Sequence, residues 1–160
     1  MNKLTIAKFG GSAIGVDGEG IPEIVRRIKE IQKNSKLVVV CSAPLTMVDE
    51  KKRSLTDVIL GIGKDAVNGN NIDFSIVEKP YLKILDYVSD DTKDLCKGII
   101  DDFLKKSKNS INEASSKKEF LDETRSKALA FSGEVLMSHV LDLILKSNDI
   151  RSDKIGRAHV

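Results

Sequence analysis

Lys8 and the glycine pair Gly10-Gly11 combine a positive charge with an accessible backbone, which suits the binding of a phosphate group. They lie in the stretch Lys3 to Gly15, which runs KLTIAKFGGSAIG. Glycines permit positive φ and, having no Cβ, let backbone N–H groups approach an anion closely. A strand-to-turn junction with a surface lysine explains the pattern equally well, because a lone glycine pair is a weak signal. It is not a Walker A loop, since no Gly-Lys-Ser/Thr triplet follows a four-residue gap.

Hydroxyl and carboxylate residues further along the chain have two interpretations each. Ser54 and Asp57 have the spacing of a capping box. A helix amino terminus is also an anion site, so Ser54 and Thr56 can serve both roles. Glu134 lies at the head of a predicted helix, where a carboxylate is favourable against the helix dipole; alternatively, it binds a substrate ammonium group. His139 lies mid-helix with no partner at ligand spacing, so we assign it no chemical role.

The glycine pair follows a short apolar run, Leu4 to Phe9, which predicts a buried strand ending in a tight loop. Apolar residues then recur at helical spacing from Ile21 to Ile31, and a continuous β-branched run covers Lys36 to Cys41. An uninterrupted run of this length indicates a parallel strand covered on both faces. Together these segments predict a right-handed βαβ unit, and the carboxyl-end edge of such a sheet is the usual place for ligands.

The rest of the sequence is predicted to be mostly helical. Ser42 to Arg53 is predicted as a long polar loop, after which a helix begins near Ser54. From Asp73 to about Lys127 apolar stripes predict helices throughout, with Pro80 opening or kinking the first of them. The polar stretch Ser107 to Lys118 separates a further helical piece. Single apolar stripes need the sheet or each other as cover, which favours one domain.

Composition and charge exclude several classes of protein. The 160 residues are 41% hydrophobic and 31% charged, which is typical of a soluble globular protein, and the formal net charge is +2. That charge is too small to predict binding to nucleic acid or to a membrane surface. Cys41 and Cys96 form no metal-binding pattern and are predicted to be reduced thiols. No apolar run approaches the ~20 residues of a membrane span, so we expect a cytoplasmic protein.

Three separated motifs carry a family resemblance. KFGGSAIG, then VVVCSAP with RSLTDVIL, then FSGEVLMS occur in the same order as in the amino-terminal part of aspartate kinases, which the chain resembles from Lys3 to about Ile150. The resemblance implies an α/β fold with an open, mainly parallel sheet sandwiched by helices, as in the amino-acid kinase superfamily. It also implies a kinase that transfers the γ-phosphoryl group of ATP to the β-carboxylate of L-aspartate, the first step of lysine, threonine and methionine synthesis.

The resemblance also implies roles for individual residues, of which Lys8 is the catalytic one because it stabilises charge in the transition state. Ser42 and Thr56 match hydroxyls that contact aspartate, and Glu134 matches the residue that binds its amino group. Mg²⁺ is held through the ATP phosphates, with no metal ligand from the protein, and the full-length protein is a homodimer. The residues expected to hold the ATP phosphates are Lys8, Phe9, Gly10, Gly11 and Ser12.

The sequence departs from the family pattern in a few places. Met137 stands where the family often has serine, with Ser138 one place later, and the segment between Ser42 and Thr56 is longer than in many relatives. A later Gly/Arg-rich loop, an acidic residue and ACT-type regulatory domains, which aspartate kinases contain, are missing from the sequence.

These departures shape the expected organisation of the chain. One back-translation of its ending resembles a common sequencing adapter. We therefore expect residues 1–154 to be the amino-terminal part of the catalytic domain, residues 155–160 to be a non-native tail, and the chain to be inactive. Two alternatives remain: another superfamily kinase with a carboxylate, carbamate or nucleotide substrate, or a non-catalytic fragment. Glu134 discriminates between substrates, since one without an amino group has no use for it.

Overall fold

The structure is a computed structural model that describes residues 3–155. The tail predicted at 155–160 lies, apart from Ile155, outside the described residues. A short 3-10 turn, Leu85–Tyr87, connects the fourth and fifth helices. In chain order the other elements are β1 (Leu4–Phe9), α1 (Gly11–Ile14), α2 (Ile21–Gln32), β2 (Lys36–Cys41), β3 (Leu45–Val48), β4 (Lys51–Ser54), α3 (Leu55–Val67), α4 (Ser75–Ile84), α5 (Asp90–Lys117), α6 (Asp122–Ser132) and α7 (Glu134–Ser147).

The predicted α/β fold is confirmed in its first third. β1 and β2 form a parallel pair with Leu4 opposite Lys36 and Phe9 opposite Cys41, and α2 connects them. The helix begins with Pro22 in its first turn, where the missing N–H costs nothing. The remaining helices pack with the sheet around one buried apolar core, as expected of single-stripe helices.

The expectation that β2 is covered on both faces is wrong for the part of the chain that the structure describes. Ala7 and Val39 pack against the core on one face of the strand pair. The other face carries Leu4, Ile6 and Val40, which are 62%, 69% and 45% exposed. Strands of parallel sheets are normally buried on both faces, which is why the apolar run predicted two-sided cover. The described helices cover only one.

The segment predicted as a polar loop from Ser42 to Arg53 instead contains a β-hairpin. β3 and β4 pair antiparallel, with Leu45 opposite Ser54. Asp49 and Glu50 form the turn with φ of 47° and 60°. Two central residues at positive φ are typical of the type I′ turn, which matches the twist of a hairpin. The hairpin returns the start of α3 to the neighbourhood of Leu45, three residues beyond Ser42.

Pro80 lies inside α4 rather than opening it. Proline has no N–H, so the carbonyl of Ile76 one turn earlier receives no helical hydrogen bond from it. The hydroxyl of Thr46, a fully buried residue of β3, donates to this carbonyl at 3.3 Å. The hairpin is therefore fastened to α4 at the carbonyl that proline frees.

We expect Thr46→Val to lower the free energy of unfolding by ~1–3 kcal/mol, because it leaves the Ile76 carbonyl without a donor. Adding Pro80→Ala supplies a backbone N–H to the same carbonyl, so the double variant should lose less stability than the sum of the single losses. Urea unfolding measures all three variants. Thr5→Val, a half-buried strand threonine, is the control and should change stability by less than about 0.5 kcal/mol. If the two losses of stability are strictly additive in the double variant, Thr46 and residue 80 do not act on the same carbonyl.

The helix break predicted at Ser107 to Lys118 is absent from the described chain, because α5 continues through Lys117 and ends with Lys118 at φ 56°. Ser107 is fully buried, and its hydroxyl donates to the carbonyl of Ala128 in α6 at 2.9 Å. Ala114, two turns later, is buried too. One face of this polar stretch is therefore packed against the rest of the protein, while its other residues are mostly exposed.

The 26-residue stretch Asp122–Ser147 contains an 18-residue apolar window with mean hydropathy 1.6, so it is long and apolar enough to cross a membrane by length and composition alone. The helix is divided at Gly133 into α6 and α7, and 56% of the apolar window is buried inside the protein. Core helices of soluble proteins pass the same test, so the stretch carries no argument for a membrane span.

Candidate functional site

The carboxyl ends of β1 and β2 lie side by side. Phe9 pairs with Cys41, and the backbone N–H of Ser42 donates to the carbonyl of Phe9 at 2.9 Å. Gly10 and Ser42 therefore leave the sheet at the same edge. This is the edge at which the sequence predicted a ligand.

The glycine loop is open on one side and packed on the other. A Cβ added to Gly10 would meet nothing within 4 Å, whereas one added to Gly11 would lie 3.2 Å from the carbonyl oxygen of Ala43. The first helical hydrogen bond of α1 runs from the Ala13 N–H to the Gly10 carbonyl at 2.9 Å, so the N–H groups of Gly11 and Ser12 precede the helical ladder. An anion can approach from the Gly10 side, and the loop after β2 supports the other side.

The side chains of the predicted phosphate-binding stretch fall into two groups. Lys8 and Ser12 are exposed and face solvent at the edge. Phe9 is buried in the core at 7% exposure. Phe9 can therefore offer a ligand only its backbone, and its side chain anchors the end of β1.

The head of α7 borders the same edge. Gly133 separates α6 from α7, and a Cβ added there would lie 2.6 Å from the Leu129 carbonyl oxygen and 3.9 Å from the Cβ of Ala43. Glu134, the next residue, is exposed. Burial and, after it, the charge of the Glu134 carboxylate raise the pKa of the Cys41 thiol to about 11, which puts this carboxylate within electrostatic reach of the end of β2.

Ser54 and Thr56 lie at the start of α3 and have different surroundings. The hydroxyl of Ser54 accepts from the Asp57 N–H at 3.1 Å and donates to the Asp57 carboxylate at 2.8 Å, so the predicted cap is confirmed. Thr56 is exposed. Pairing of Ser54 with Leu45 folds the extra residues of this segment into the hairpin and brings Thr56 back toward Ser42. Its role in binding stays a prediction.

Most of the candidate residues lie around the carboxyl-end edge, whereas His139 lies elsewhere. Ala43, which follows Ser42, lies against Gly11 and against Gly133, the residue before Glu134. The pairing of Leu45 with Ser54 returns the chain to within two residues of Thr56. His139 instead faces α5, where its ring centroid lies 4.8 Å from that of Phe103. Burial, and after it the charge of Lys154, lowers the pKa of His139, and Lys154 Nζ lies 2.7 Å from its Nδ1. The structure gives His139 no place at the edge.

The departure of the third motif from the family pattern has a local explanation. Met137 is buried in the core at 1% exposure. The hydroxyl of Ser138 donates to the carbonyl of Val135 at 2.7 Å, within its own helix. Met137 therefore serves the core, and the Ser138 hydroxyl is engaged within α7.

Sequence reasoning missed Tyr81, which falls in the apolar stripes predicted between Asp73 and Lys127. Tyr81 is fully buried in α4, and its hydroxyl lies 2.7 Å from the Ser132 carbonyl and 3.1 Å from that of Gly133, donating toward both. Buried tyrosine hydroxyls need a partner, and this requirement was the one available signal. The partners lie more than fifty positions away in sequence, so the signal could not identify them.

The described residues offer no ready-made metal site, since no group of three His, Cys, Asp or Glu side chains comes together in residues 3–155. Two open grooves lie elsewhere on this part of the chain. One is lined by Gln32, Lys36 and Arg151 at the amino end of β2, and the other by Met47 and Leu82 between β3 and α4. Neither groove coincides with the predicted site, which lies at the carboxyl ends of β1 and β2.

Two glycines of the edge are expected to respond differently to alanine. Gly133→Ala should lower the free energy of unfolding by ~1–3 kcal/mol, because the new Cβ would meet the Leu129 carbonyl oxygen. Gly10→Ala should leave stability unchanged or raise it by up to about 1 kcal/mol, since its φ of −72° suits alanine and its surroundings are open. Urea unfolding compares the two. Equal losses would contradict the packing of the α6–α7 junction.

Comparison with protein-family models finds a match to the amino acid kinase family over residues 3–158. Comparison with curated proteins finds no match. The matched range contains every element of the described structure and all of the residues predicted at the edge.

Proposed function

Because the chain belongs to the amino acid kinase family, we propose that its residues serve a kinase that transfers the γ-phosphoryl group of ATP to the β-carboxylate of L-aspartate. Family membership by itself makes the protein a phosphotransferase of the superfamily. The choice of aspartate rests on the three motifs and on their arrangement. The observation that carries it is the meeting of the glycine loop, Ser42 and the head of α7 at the carboxyl ends of β1 and β2.

The ATP side of the proposed site consists of Lys8 and the loop from Phe9 to Ser12. The open space beside Gly10 is a cradle that any side chain would narrow, which fits the approach of a phosphate group. Lys8 neutralises charge that develops on the transferred group, and the N–H groups of Gly11 and Ser12 orient the phosphates. Phosphoryl transfer needs positioning and charge neutralisation more than a covalent nucleophile, so these groups suit the reaction.

The aspartate side of the proposed site consists of two hydroxyls and one carboxylate. Ser42 and Thr56 donate to the carboxylates of aspartate, and Glu134 pairs with its ammonium group. Mg²⁺ enters with ATP, whose phosphates hold it and whose charge it offsets. We place the reaction in the cytoplasm, as expected from the residues of the sequence, and expect a homodimer on the resemblance to aspartate kinases.

Calorimetric titration tests the proposal with a panel of ligands. We expect MgATP to bind the wild-type chain, and L-aspartate to bind in its presence more tightly than L-glutamate, carbamate or a nucleoside monophosphate. A preference for carbamate or for a nucleoside monophosphate would assign another branch of the superfamily. Absence of MgATP binding would refute the nucleotide assignment of the glycine loop.

A further inference from the structure

The hydroxyl of Tyr81 holds the junction between α6 and α7. The residue lies on α4, is fully buried, and reaches the Ser132 carbonyl at 2.7 Å and the Gly133 carbonyl at 3.1 Å. A phenol has one proton, so the shorter contact is the principal bond and the longer one shares it. Two carbonyls on the break between the helices are thus tied to a third helix.

These carbonyls need such a donor because the helix is interrupted. The last carbonyls of a helix have no intrahelical partner, and a buried carbonyl without a donor costs ~1–3 kcal/mol. The hydroxyl of Ser132 cannot serve its own junction, since it donates to the Ala128 carbonyl at 2.7 Å. The Gly133 carbonyl accepts the first hydrogen bond of α7, from the Met137 N–H at 2.9 Å. Tyr81 therefore acts on the group from which α7 starts.

Glu134 follows directly in the chain, so the direction in which α7 starts sets the direction of its carboxylate. On the other side of the junction Gly133 lies against Ala43, in the loop that leaves β2. Burial, and after it the charge of Glu134, raises the pKa of the Cys41 thiol at the end of β2. Burial, and after it the Cys41 thiol, raises the pKa of Tyr81. Ala43 is two residues beyond Cys41, so the junction that Tyr81 holds lies against the chain leaving β2.

We propose that Tyr81 is a positioning residue for Glu134, its hydroxyl fixing the α6–α7 junction so that the carboxylate is held at the carboxyl end of β2. The consequence for aspartate binding rests on the proposed function; the positioning itself does not. Tyr81 does not contact the substrate in this proposal and acts only through the junction. Binding of the substrate ammonium group would then depend on Tyr81, a buried residue that does not belong to the loops of the edge.

The experiment uses Cys41 as a reporter of where the Glu134 charge lies. Thiolate is the reactive form, so a nearby negative charge slows alkylation of the thiol. Iodoacetamide alkylation of Cys41 is followed at pH 8.5 by peptide mass spectrometry, which separates it from the buried Cys96. Glu134→Gln should speed the reaction about threefold in the wild-type background. In the Tyr81→Phe background the same change should have little effect, because the carboxylate is no longer held near the thiol.

The control is Tyr87→Phe, which removes the hydroxyl of the other tyrosine and should keep the threefold effect. An equal Glu134 effect with and without the Tyr81 hydroxyl overturns the proposal. Loss of the folded circular dichroism signal in Tyr81→Phe, under conditions in which Glu134→Gln stays folded, also overturns it and leaves the hydroxyl a structural role. Titration of L-aspartate into the same variants tests the proposed function separately: no response to Glu134→Gln refutes that function and leaves the alkylation result standing.

Discussion

Replacing Lys8 with alanine is expected to weaken the binding of MgATP by ~10–100-fold. Hydrogen bonds to charged groups are worth about 1.5–3 kcal/mol, and each 1.4 kcal/mol is a factor of ten in affinity. Lys8 is exposed at the carboxyl end of β1, two residues before the open side of Gly10, so its charge is free to meet a phosphate. Calorimetric titration of MgATP into the two proteins measures the change.

Lys36→Ala is the matched control for Lys8. Lys36 is also exposed and opposes Leu4, on the same sheet face as Lys8 but at the amino end of β2. Both substitutions remove one positive charge, so a general electrostatic effect on ATP lowers the affinity in both and is screened by salt. A loss confined to Lys8→Ala supports the proposed site. Equal losses, or none, contradict the assignment of Lys8 to the phosphates.

The sequence predicted those parts of the fold in which local pattern and tertiary environment agree. Apolar runs and helical spacing placed β1, α2 and β2, and the capping pair of Ser54 and Asp57 placed the start of α3. The edge of the site follows from the same information, since parallel strands bring their carboxyl ends together. These predictions need no knowledge of contacts between distant residues.

The errors have the opposite origin. The hairpin of β3 and β4 turns on Asp49 and Glu50 at positive φ, without the glycine or asparagine that usually predicts such a turn. The polar stretch at the end of α5 stays helical, and its Ser107 is buried because the hydroxyl donates to a carbonyl in α6, 21 residues away. Pro80 stays inside α4, where Thr46 of the distant hairpin occupies the carbonyl that it frees. Each case depends on a partner that local propensity does not specify.

The predicted site depends both on local sequence pattern and on contacts between residues distant in sequence. Glu134 was predicted at the head of a helix, but the reason for a glycine before it is the approach of the Leu129 carbonyl to Gly133, which only the fold displays. Tyr81 lies in the core with its apolar neighbours, yet its hydroxyl is directed at the junction that carries Glu134. A sequence motif thus identifies the candidate residues at the sheet edge, whereas core residues distant in sequence fix their positions.

Glu134→Gln is expected to raise the dissociation constant of L-aspartate by ~10–100-fold, measured calorimetrically in the presence of MgATP. The reason is the proposed pairing of the carboxylate with the substrate ammonium group, a charge-assisted contact of about 1.5–3 kcal/mol. Succinate, which has the two carboxylates of aspartate without the ammonium group, provides the matched ligand. Its affinity should be nearly the same in the wild-type chain and in Glu134→Gln.

The competing explanation for Glu134 is that it only stabilises α7 through the helix dipole. A first-turn carboxylate contributes about 0.3–1 kcal/mol to stability in that way, whatever ligand is present. Glu78→Gln, which changes the same residue type in the first turn of α4, measures this contribution without touching the edge. If Glu134→Gln and Glu78→Gln lower stability alike and both leave aspartate affinity unchanged, the dipole explains Glu134. A loss for aspartate but not for succinate, in Glu134→Gln alone, requires a carboxylate that meets an ammonium group at the carboxyl end of β2.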